Sequence, residues 1–348
     1  MVCLKNALRS MVFLLLLLSL GVGAYAQKSV AKRTLKPSAA ALPVPLSNSS
    51  LGPGTGNVRM RAAADYDGDG KADFTVFRPE GNVWWVNKSS GGYEATKFGL
   101  ATHDYITPGD YDGDGKGDVS IFRDSDGVWW RINSSTGTVS AQQWGMSGDE
   151  PVARDYDGDG KTDLAIVRRT NGVMVWWILR SSDGQYSGTT WGYATDYATP
   201  GDYDGDGKFD ISIQRPGPTP TSGATFWTLG SSSGVQSVQW GYGTDLVVPG
   251  DYDGDGKTDY AVVREGETGA SALTWYILKS SGGFDAVQFG ATGTDLTAQN
   301  DFDGDGKTDI AVWRNSDGTF WVNKSSGGVQ AYHWGQPSDY PTTSFDTH

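Results

Sequence analysis

The sequence has little cysteine, little histidine and no segment with a convincing helical period. Cys3 is the only cysteine among 348 residues, so no disulfide can form within the chain. Histidine occurs only at His103, His333 and His348, and the spacing suggests no set of nucleophile, base and orienting acid. We therefore expect a protein that is not an enzyme.

Basic residues are also outnumbered. The chain has 28 Lys and Arg against 41 Asp and Glu, which gives a formal net charge of −13. An acidic surface repels phosphate, so nucleic acid is not an expected partner.

Composition divides the chain into three segments. Residues 1–26 combine a basic start, an apolar run and the small-residue pattern Ala24-Tyr25-Ala26, which predicts a cleaved secretory signal peptide, with a transmembrane anchor as the alternative. Residues 27–57 are rich in Pro, Ser, Ala and Gly without periodicity and predict a flexible leader. Residues 58–348 contain the repeats. We expect a secreted protein, extracellular or on the cell surface, with the periplasm as an alternative, and no transmembrane segment in the mature chain.

A nine-residue motif, Asp-Tyr/Phe-Asp-Gly-Asp-Gly-Lys-x-Asp, recurs six times. Its copies begin at Asp65, Asp110, Asp155, Asp202, Asp251 and Asp301. Spacings of 45 to 50 residues, with short apolar runs between Gly, Ser and Asp turns, are typical of one propeller blade per repeat. We predict an all-β propeller of six four-stranded blades, with seven blades as the alternative.

The order of strands within a repeat also predicts how the chain ends meet. Each repeat runs from a first to a fourth strand, so we expect no blade to be shared between the termini. Residues 336–348 resemble a degraded first strand, which either pairs at the rim or plugs the ring.

Each motif places four aspartates within nine residues. Two carboxylates about 5 Å apart repel by roughly 3 kcal/mol at an effective dielectric near ~20, so a cation is expected among them. Positions 1, 3, 5 and 9 offer carboxylate oxygens, position 7 offers its backbone carbonyl, and glycines at 4 and 6 allow a tight turn. These hard oxygen donors favour calcium over magnesium.

We therefore predict about six calcium ions. The predicted ligands are Asp65, Asp67, Asp69, Lys71 and Asp73; Asp110, Asp112, Asp114, Lys116 and Asp118; Asp155, Asp157, Asp159, Lys161 and Asp163; Asp202, Asp204, Asp206, Lys208 and Asp210; Asp251, Asp253, Asp255, Lys257 and Asp259; and Asp301, Asp303, Asp305, Lys307 and Asp309. Each lysine contributes its backbone carbonyl only, and its ammonium group is expected to point outward.

An EF-hand loop begins in a similar way, but it needs a glutamate at position 12 and flanking helices. Position 12 is aliphatic in every copy: Val76, Ile121, Ile166, Ile213, Val262 and Val312. Apolar residues at positions 10 and 12, followed by arginine at 14, have the period of a strand. The remaining alternative is an acidic, solvated turn.

With these loops the chain resembles the integrin-type FG-GAP and VCBS repeat family, whose calcium loops read Asp-x-Asp-x-Asp-Gly-x-x-Asp between the first two strands of a blade. The resemblance covers about residues 58–335 and implies a calcium-binding propeller. It leaves the function open, because such propellers serve in adhesion receptors, in fungal lectins and in domains attached to enzymes. The six uniform loops differ from those of integrins.

Two sets of aromatic residues recur. Pairs on the third strand are expected to fill the wedges between blades: Trp84-Trp85, Trp129-Trp130, Trp176-Trp177, Phe226-Trp227, Trp275-Tyr276 and Phe320-Trp321. A second set ends the fourth strand: Phe98, Trp144, Trp191, Trp240, Phe289 and Trp334. For this second set, core packing and stacking on the apolar face of a pyranose both stay open.

An arginine also recurs at the end of the second strand. The six copies are Arg78, Arg123, Arg168, Arg215, Arg264 and Arg314. Its repetition favours a structural role, with backbone carbonyls or a carboxylate of the next blade as partners, and ligand binding is the alternative.

We predict a binding or adhesion module for glycans or an extracellular protein. A structural surface or matrix component and a polysaccharide-active enzyme such as a lyase are the alternatives. Segments 216–224 and 265–272 lengthen two loops at the end away from the calcium loops, so we expect the ligand there. The predicted ligand-binding residues are His103, Trp144, Trp191, Tyr193, Trp240, Tyr242 and Trp334.

Overall fold

The computed structural model describes residues 63–342. They form six four-stranded antiparallel sheets, each of them one blade of a β-propeller, so the predicted six-bladed fold is confirmed. The predicted signal peptide 1–26, leader 27–57 and final residues 343–348 lie outside the described residues.

The four strands of every blade lie side by side in the order first to fourth. The first blade contains β24 (Tyr340–Pro341), β1 (Phe74–Arg78), β2 (Val83–Asn87) and β3 (Tyr93–Lys97), and the second contains β4 (Asp104–Ile106), β5 (Val119–Arg123), β6 (Val128–Ile132) and β7 (Val139–Gln143). The third contains β8 (Glu150–Pro151), β9 (Leu164–Thr170), β10 (Val173–Leu179) and β11 (Tyr186–Tyr193), and the fourth contains β12 (Tyr197–Ala198), β13 (Ile211–Arg215), β14 (Gly223–Gly230) and β15 (Gly234–Tyr242). The fifth contains β16 (Leu246–Val247), β17 (Tyr260–Arg264), β18 (Ala272–Leu278) and β19 (Phe284–Ala291), and the sixth contains β20 (Asp295–Thr297), β21 (Ile310–Arg314), β22 (Thr319–Asn323) and β23 (Val329–His333).

The core lies between neighbouring blades. One cluster, for example, joins Val167 and Trp176 of the third blade to Phe209 and Ile213 of the fourth. Adjacent side chains on a strand point to opposite faces, so both faces of a blade are packed and the second strand is buried along its middle, as in β1. The fourth strands are mostly exposed, as in β3.

The prediction that the third-strand aromatic pairs fill the wedges between blades is confirmed. The first member of every pair has no exposed surface: Trp84, Trp129, Trp176, Phe226, Trp275 and Phe320. The second members are half-buried.

The prediction that no blade is shared between the termini is wrong. The first strand of the first blade is β24, which pairs with β1 through Val76 opposite Pro341 and Phe77 opposite Tyr340. The Thr342 N–H also donates to the Thr75 carbonyl at 3.0 Å. The terminal segment therefore neither plugs the ring nor pairs at the rim, since it takes the first-strand position beside β1, in keeping with its resemblance to a first strand.

The two ends of each blade carry different turns. The aspartate loops, which are the nine-residue motifs, link the first and second strands and meet the turns between the third and fourth strands. At the opposite end the second-to-third-strand turn meets the loop leading to the next blade, as where Gly148 N–H donates to Asp124. Position 12 of every aspartate loop lies in a second strand, which rules out the EF-hand interpretation. Within residues 63–342 no helix is long and apolar enough to span a bilayer.

Candidate functional site

The aspartate loops wrap backbone N–H groups around the first carboxylate. In the first loop Asp65 Oδ1 accepts from Gly68 N–H at 2.7 Å, and Oδ2 accepts from Gly70 N–H at 2.9 Å. Both glycines have positive φ, 79° and 88°, the left-handed backbone that glycine adopts without strain. The predicted role of these two glycines is confirmed, and the other five loops repeat the pattern.

The last aspartate of each loop joins the two turns at this end of the blade. Asp73 Oδ2 accepts from Tyr66 N–H at 2.8 Å, and Oδ1 accepts from Ser89 N–H at 2.7 Å. Ser89 belongs to the turn between the third and fourth strands, so position 9 ties that turn to the aspartate loop.

A pair of serines in that turn completes each loop, and the sequence reasoning missed it. Ser89 Oγ donates to Asp69 at 2.7 Å, and Ser90 Oγ donates to Asp67 at 2.6 Å. The pairs are Ser89-Ser90, Ser134-Ser135, Ser181-Ser182, Ser231-Ser232, Ser280-Ser281 and Ser325-Ser326. The signal was the recurrence of Ser-Ser in all six repeats, which the sequence reasoning treated as turn composition.

The carboxylates of a loop converge closely enough to hold a metal ion. Oxygens of Asp65, Asp67 and Asp73 lie within 4.8 Å of one another. Positions 1, 3 and 9 also converge in the loops that start at Asp110 and Asp155, and positions 1, 3 and 5 converge in the loops that start at Asp202 and Asp251. The loop that starts at Asp301 has the same hydrogen bonds as the first. Oxygen-only donors at this spacing are what a hard divalent cation needs.

Burial makes these carboxylates hard to ionise without a cation. Desolvation raises the pKa of Asp65 to about 6 and that of Asp73 to about 7, because removal from water disfavours the charged form. Burial also raises the pKa of the aspartate at position 9 in the other five loops. The pKa rises to about 6 in Asp118 and to about 7 in Asp163, Asp210, Asp259 and Asp309. A bound cation would hold the charged form, so its binding would release protons from these carboxyl groups.

The six loops are also linked to one another in a ring. The N–H of position 8 donates to the carbonyl of position 1 in the preceding loop at 2.6 to 2.9 Å in all six cases, and the ring closes from Ala72 to Asp301. The lysine at position 7 lies against the glycine at position 4 of the preceding loop, since a Cβ on Gly68 would meet Lys116 Cγ at 3.2 Å. Each lysine stem therefore crosses to a neighbouring loop.

The recurring arginine is structural, as favoured, but its partner differs from the one predicted. Arg123 Nε and Nη2 donate to the two carboxylate oxygens of Asp104 at 2.8 and 3.0 Å, and Asp104 lies on the first strand of the same blade, not of the next one. The remaining pairs are Arg78–Asp339, Arg168–Asp149, Arg215–Asp196, Arg264–Asp245 and Arg314–Asp295. The side chains of these aspartates are at most 3 % exposed.

The tryptophans that end the fourth strands join neighbouring blades. Trp191 Nε1 donates to the Trp227 carbonyl of the next blade at 3.0 Å, and Trp144, Trp240 and Trp334 make the equivalent bond. Their indole N–H groups are thus used structurally, while their rings stay half-buried.

One of these tryptophans lines an open cleft of about 360 Å³ between the sixth and first blades. Trp334 and Tyr93 face each other there, with ring centroids 5.9 Å apart and planes at 58°. Trp85 lies 6.4 Å from Tyr93, and Arg78 lies over Trp85 at 5.1 Å. His333 also lines the cleft.

The other predicted ligand residues are dispersed. His103 is exposed beside the turn of the second blade, where its carbonyl accepts from Asp124 N–H. Tyr193 and Tyr242 stack on Arg215 and Arg264 at 4.1 and 3.7 Å. The structure thus brings Trp334 into a cleft but not the whole predicted set, and the sequence reasoning missed Tyr93. Ligand binding at the end with the long loops stays a prediction.

The sequence profile of the FG-GAP-like repeat family matches residues 65–121 and 155–213, which contain four of the six aspartate loops. No curated protein sequence matches the chain.

Comparison with solved structures gives matches whose TM-scores lie below 0.5. Virginiamycin B lyase from Staphylococcus aureus is 9% identical, with a TM-score of 0.44 over 76% of this chain and 85% of that one. A triple arginine-to-alanine mutant of AofleA from Arthrobotrys oligospora is 11% identical, with a TM-score of 0.49 over 86% and 96%. The propeller domain of the Trilobed protease from Pyrococcus furiosus is 12% identical, with a TM-score of 0.42 over 76% and 79%. Such low similarity says nothing about what this chain binds.

Proposed function

Given that this chain is a β-propeller of FG-GAP-like repeats, we propose that it is an exported, calcium-stabilised module that binds carbohydrate. The observation that carries the proposal is the aromatic cleft formed by Trp334, Tyr93 and Trp85. Its rings are apolar on their faces, and Tyr93 keeps 66% of its surface exposed. A large exposed aromatic side chain beside a cleft indicates a binding site, whereas scattered exposed apolar residues do not.

The chemistry of the cleft fits a pyranose. A sugar ring offers an apolar C–H face to an aromatic ring and hydroxyls at its edge, and Trp and Tyr serve surfaces that are apolar on one side and wet on the other. Arg78 donates one hydrogen bond from Nε and one from Nη2 to the Asp339 carboxylate. Its other guanidinium N–H groups can therefore donate to sugar hydroxyls. A volume of 360 Å³ lies at the small end of ligand pockets, which suits one or two sugar rings.

Calcium is the proposed occupant of the aspartate loops. The donors are carboxylates, with no nitrogen or sulfur among the predicted ligands, and such sets favour calcium. Six divalent ions would cancel nearly all of the formal net charge of −13. Asp65, Asp67, Asp69 and Asp73 would hold the ion in the first loop, with the Lys71 carbonyl. The bound ion supplies positive charge that fixes the loop and its serine turn.

A glycan array, probed with the chain in calcium and again with chelator, tests the proposal. We expect binding in calcium that weakens with chelator and falls in the Tyr93→Val variant, because valine occupies the equivalent position in other blades. A variant shortened in residues 216–224 and 265–272 serves as the comparison. Loss of binding in that variant alone would place the ligand at the loop end, and absence of binding to every glycan would favour the structural or protein-binding alternatives.

A further inference from the structure

One position of the fourth strand alternates between an aromatic residue and valine around the ring; it is the first residue of the strand in five blades and the second in β15. In every blade this residue pairs with the third strand at the same register. Asn87 pairs with Tyr93 in the first blade, and Ile132 pairs with Val139 in the second. The first, third and fifth blades carry Tyr93, Tyr186 and Phe284, and the second, fourth and sixth carry Val139, Val235 and Val329. All six are 58% to 66% exposed.

The three aromatic members share one geometry. Each faces the tryptophan that ends the preceding blade: Tyr93 with Trp334 at 5.9 Å and 58°, Tyr186 with Trp144 at 5.7 Å and 53°, and Phe284 with Trp240 at 5.8 Å and 60°. Three seams thus repeat the pair of rings that forms the cleft between the sixth and first blades.

Packing of the blades does not require these aromatics. Valine at the same register supports the same hydrogen-bonded strand pair in the alternate blades. A side chain about two-thirds exposed also gains little from burial. The aromatic rings leave more apolar surface in water than valine does, and such surface marks binding sites.

We infer that the propeller carries three equivalent carbohydrate sites, at the seams between blades six and one, two and three, and four and five. This rests on the proposed function. Each site offers two rings inclined at 53° to 60°, so a neutral pyranose stacks its C–H face on one ring while its edge meets the other. The valine seams lack the second ring and form no site.

Size and separation favour a sugar over a protein partner. A cleft of 360 Å³ takes one or two rings, whereas a stable protein interface buries about 1,600 Å². Each aromatic seam is followed around the ring by a valine seam, so the sites act separately. Three sites on one chain strengthen attachment to a repeated glycan through multivalency.

Native mass spectrometry in calcium counts the sites, with glucose, galactose, mannose, fucose and N-acetylglucosamine as probes in turn. At saturation we expect three bound copies of at least one sugar, two copies for Tyr93→Val, and none for the triple variant Tyr93→Val, Tyr186→Val and Phe284→Val. The matched control, Val139→Ala with Val235→Ala and Val329→Ala, should keep three.

The outcomes separate this inference from the proposed function. Six copies, a single copy or undiminished binding by the folded triple aromatic variant would overturn the three-site inference while leaving carbohydrate binding intact. Absence of binding by the unchanged chain to all five sugars and to the glycan array would overturn both. Circular dichroism of each variant establishes that it is folded.

Discussion

Replacing Asp339 with alanine should weaken the ring of blades where β24 pairs with β1. Asp339 is 1% exposed and receives both donors of the Arg78 fork at 2.9 Å. Removing one partner of a buried ion pair costs about 3–5 kcal/mol. Arg78 is 23% exposed and can regain water, so about 2–3 kcal/mol of the free energy of unfolding is the fair expectation. At roughly 2–4 °C per kcal/mol, the melting temperature falls by roughly 4–12 °C.

Asp104→Ala is the matched control, because Arg123 and Asp104 form the same fork within a blade built from continuous chain. The two variants lose equivalent ion pairs, but only Asp339→Ala loosens the segment that places β24 beside β1. β24 is otherwise held to β1 by two residue pairs and the Thr342 N–H bond to Thr75. We therefore expect Asp339→Ala to melt lower than Asp104→Ala.

Hydrogen exchange provides the local measurement. The Thr342 amide should lose protection in Asp339→Ala and keep it in Asp104→Ala. Equal melting temperatures for the two variants, together with unchanged exchange of the Thr342 amide, would show that Asp339 does not hold β24 in place. An Arg78→Ala, Asp339→Ala double-variant cycle should give a coupling of about 2 kcal/mol.

Three further predictions concern the loops and the cleft. Without metal, the free energy of unfolding should fall as pH rises from about 4 to about 7. The pKa of Asp73 in the folded state is raised from 3.8 to about 7, so the folded state holds a proton that the unfolded state has lost. Thermal melts of dialysed protein at pH 5 and pH 8 check this, and a higher melting temperature at pH 8 would contradict it. Ser181→Ala should weaken metal binding in the third loop, because Ser181 Oγ donates to both oxygens of Asp159 at 2.9 Å; Asp159→Ala should weaken it more, and calcium titrations that match the unchanged chain would refute both. Removing calcium should weaken sugar binding at Tyr93, since the turn that contains Ser89 and Ser90 leads directly into β3. Equal sugar binding with and without chelator would show that the cleft does not depend on calcium in the aspartate loop.

Much of the fold could be predicted because its signals are local and repeated. The spacing of the aspartate loops predicted the blades, and the glycines at positions 4 and 6 predicted left-handed backbone, which Gly68 and Gly70 adopt. The period of two after each loop predicted a strand where an EF-hand would need a helix.

The features that were missed depend on which segments meet. Residues 336–348 resemble a first strand, but β24 has only two residues, and its pairing with β1 joins segments that lie far apart in the sequence. The arginine partner could have been found, because an aspartate precedes each of the last five aspartate loops by six residues, as Asp104 precedes Asp110. The role of Tyr93 could not have been found in the sequence, because its cleft also requires Trp334 from the last repeat.

Thermal unfolding with and without calcium tests whether the aspartate loops hold metal and whether that metal stabilises the propeller. Extracellular calcium sites commonly have dissociation constants of about 10⁻⁴ to 10⁻³ M, so a tenfold excess adds about 1.4 kcal/mol per site, or on the order of 8 kcal/mol for six independent sites. This rivals the stability of an ordinary domain, about 5–15 kcal/mol. If the loops hold structural calcium, the melting temperature is sharply lower in chelator and is restored by added calcium. Melting curves that coincide with and without calcium would contradict it.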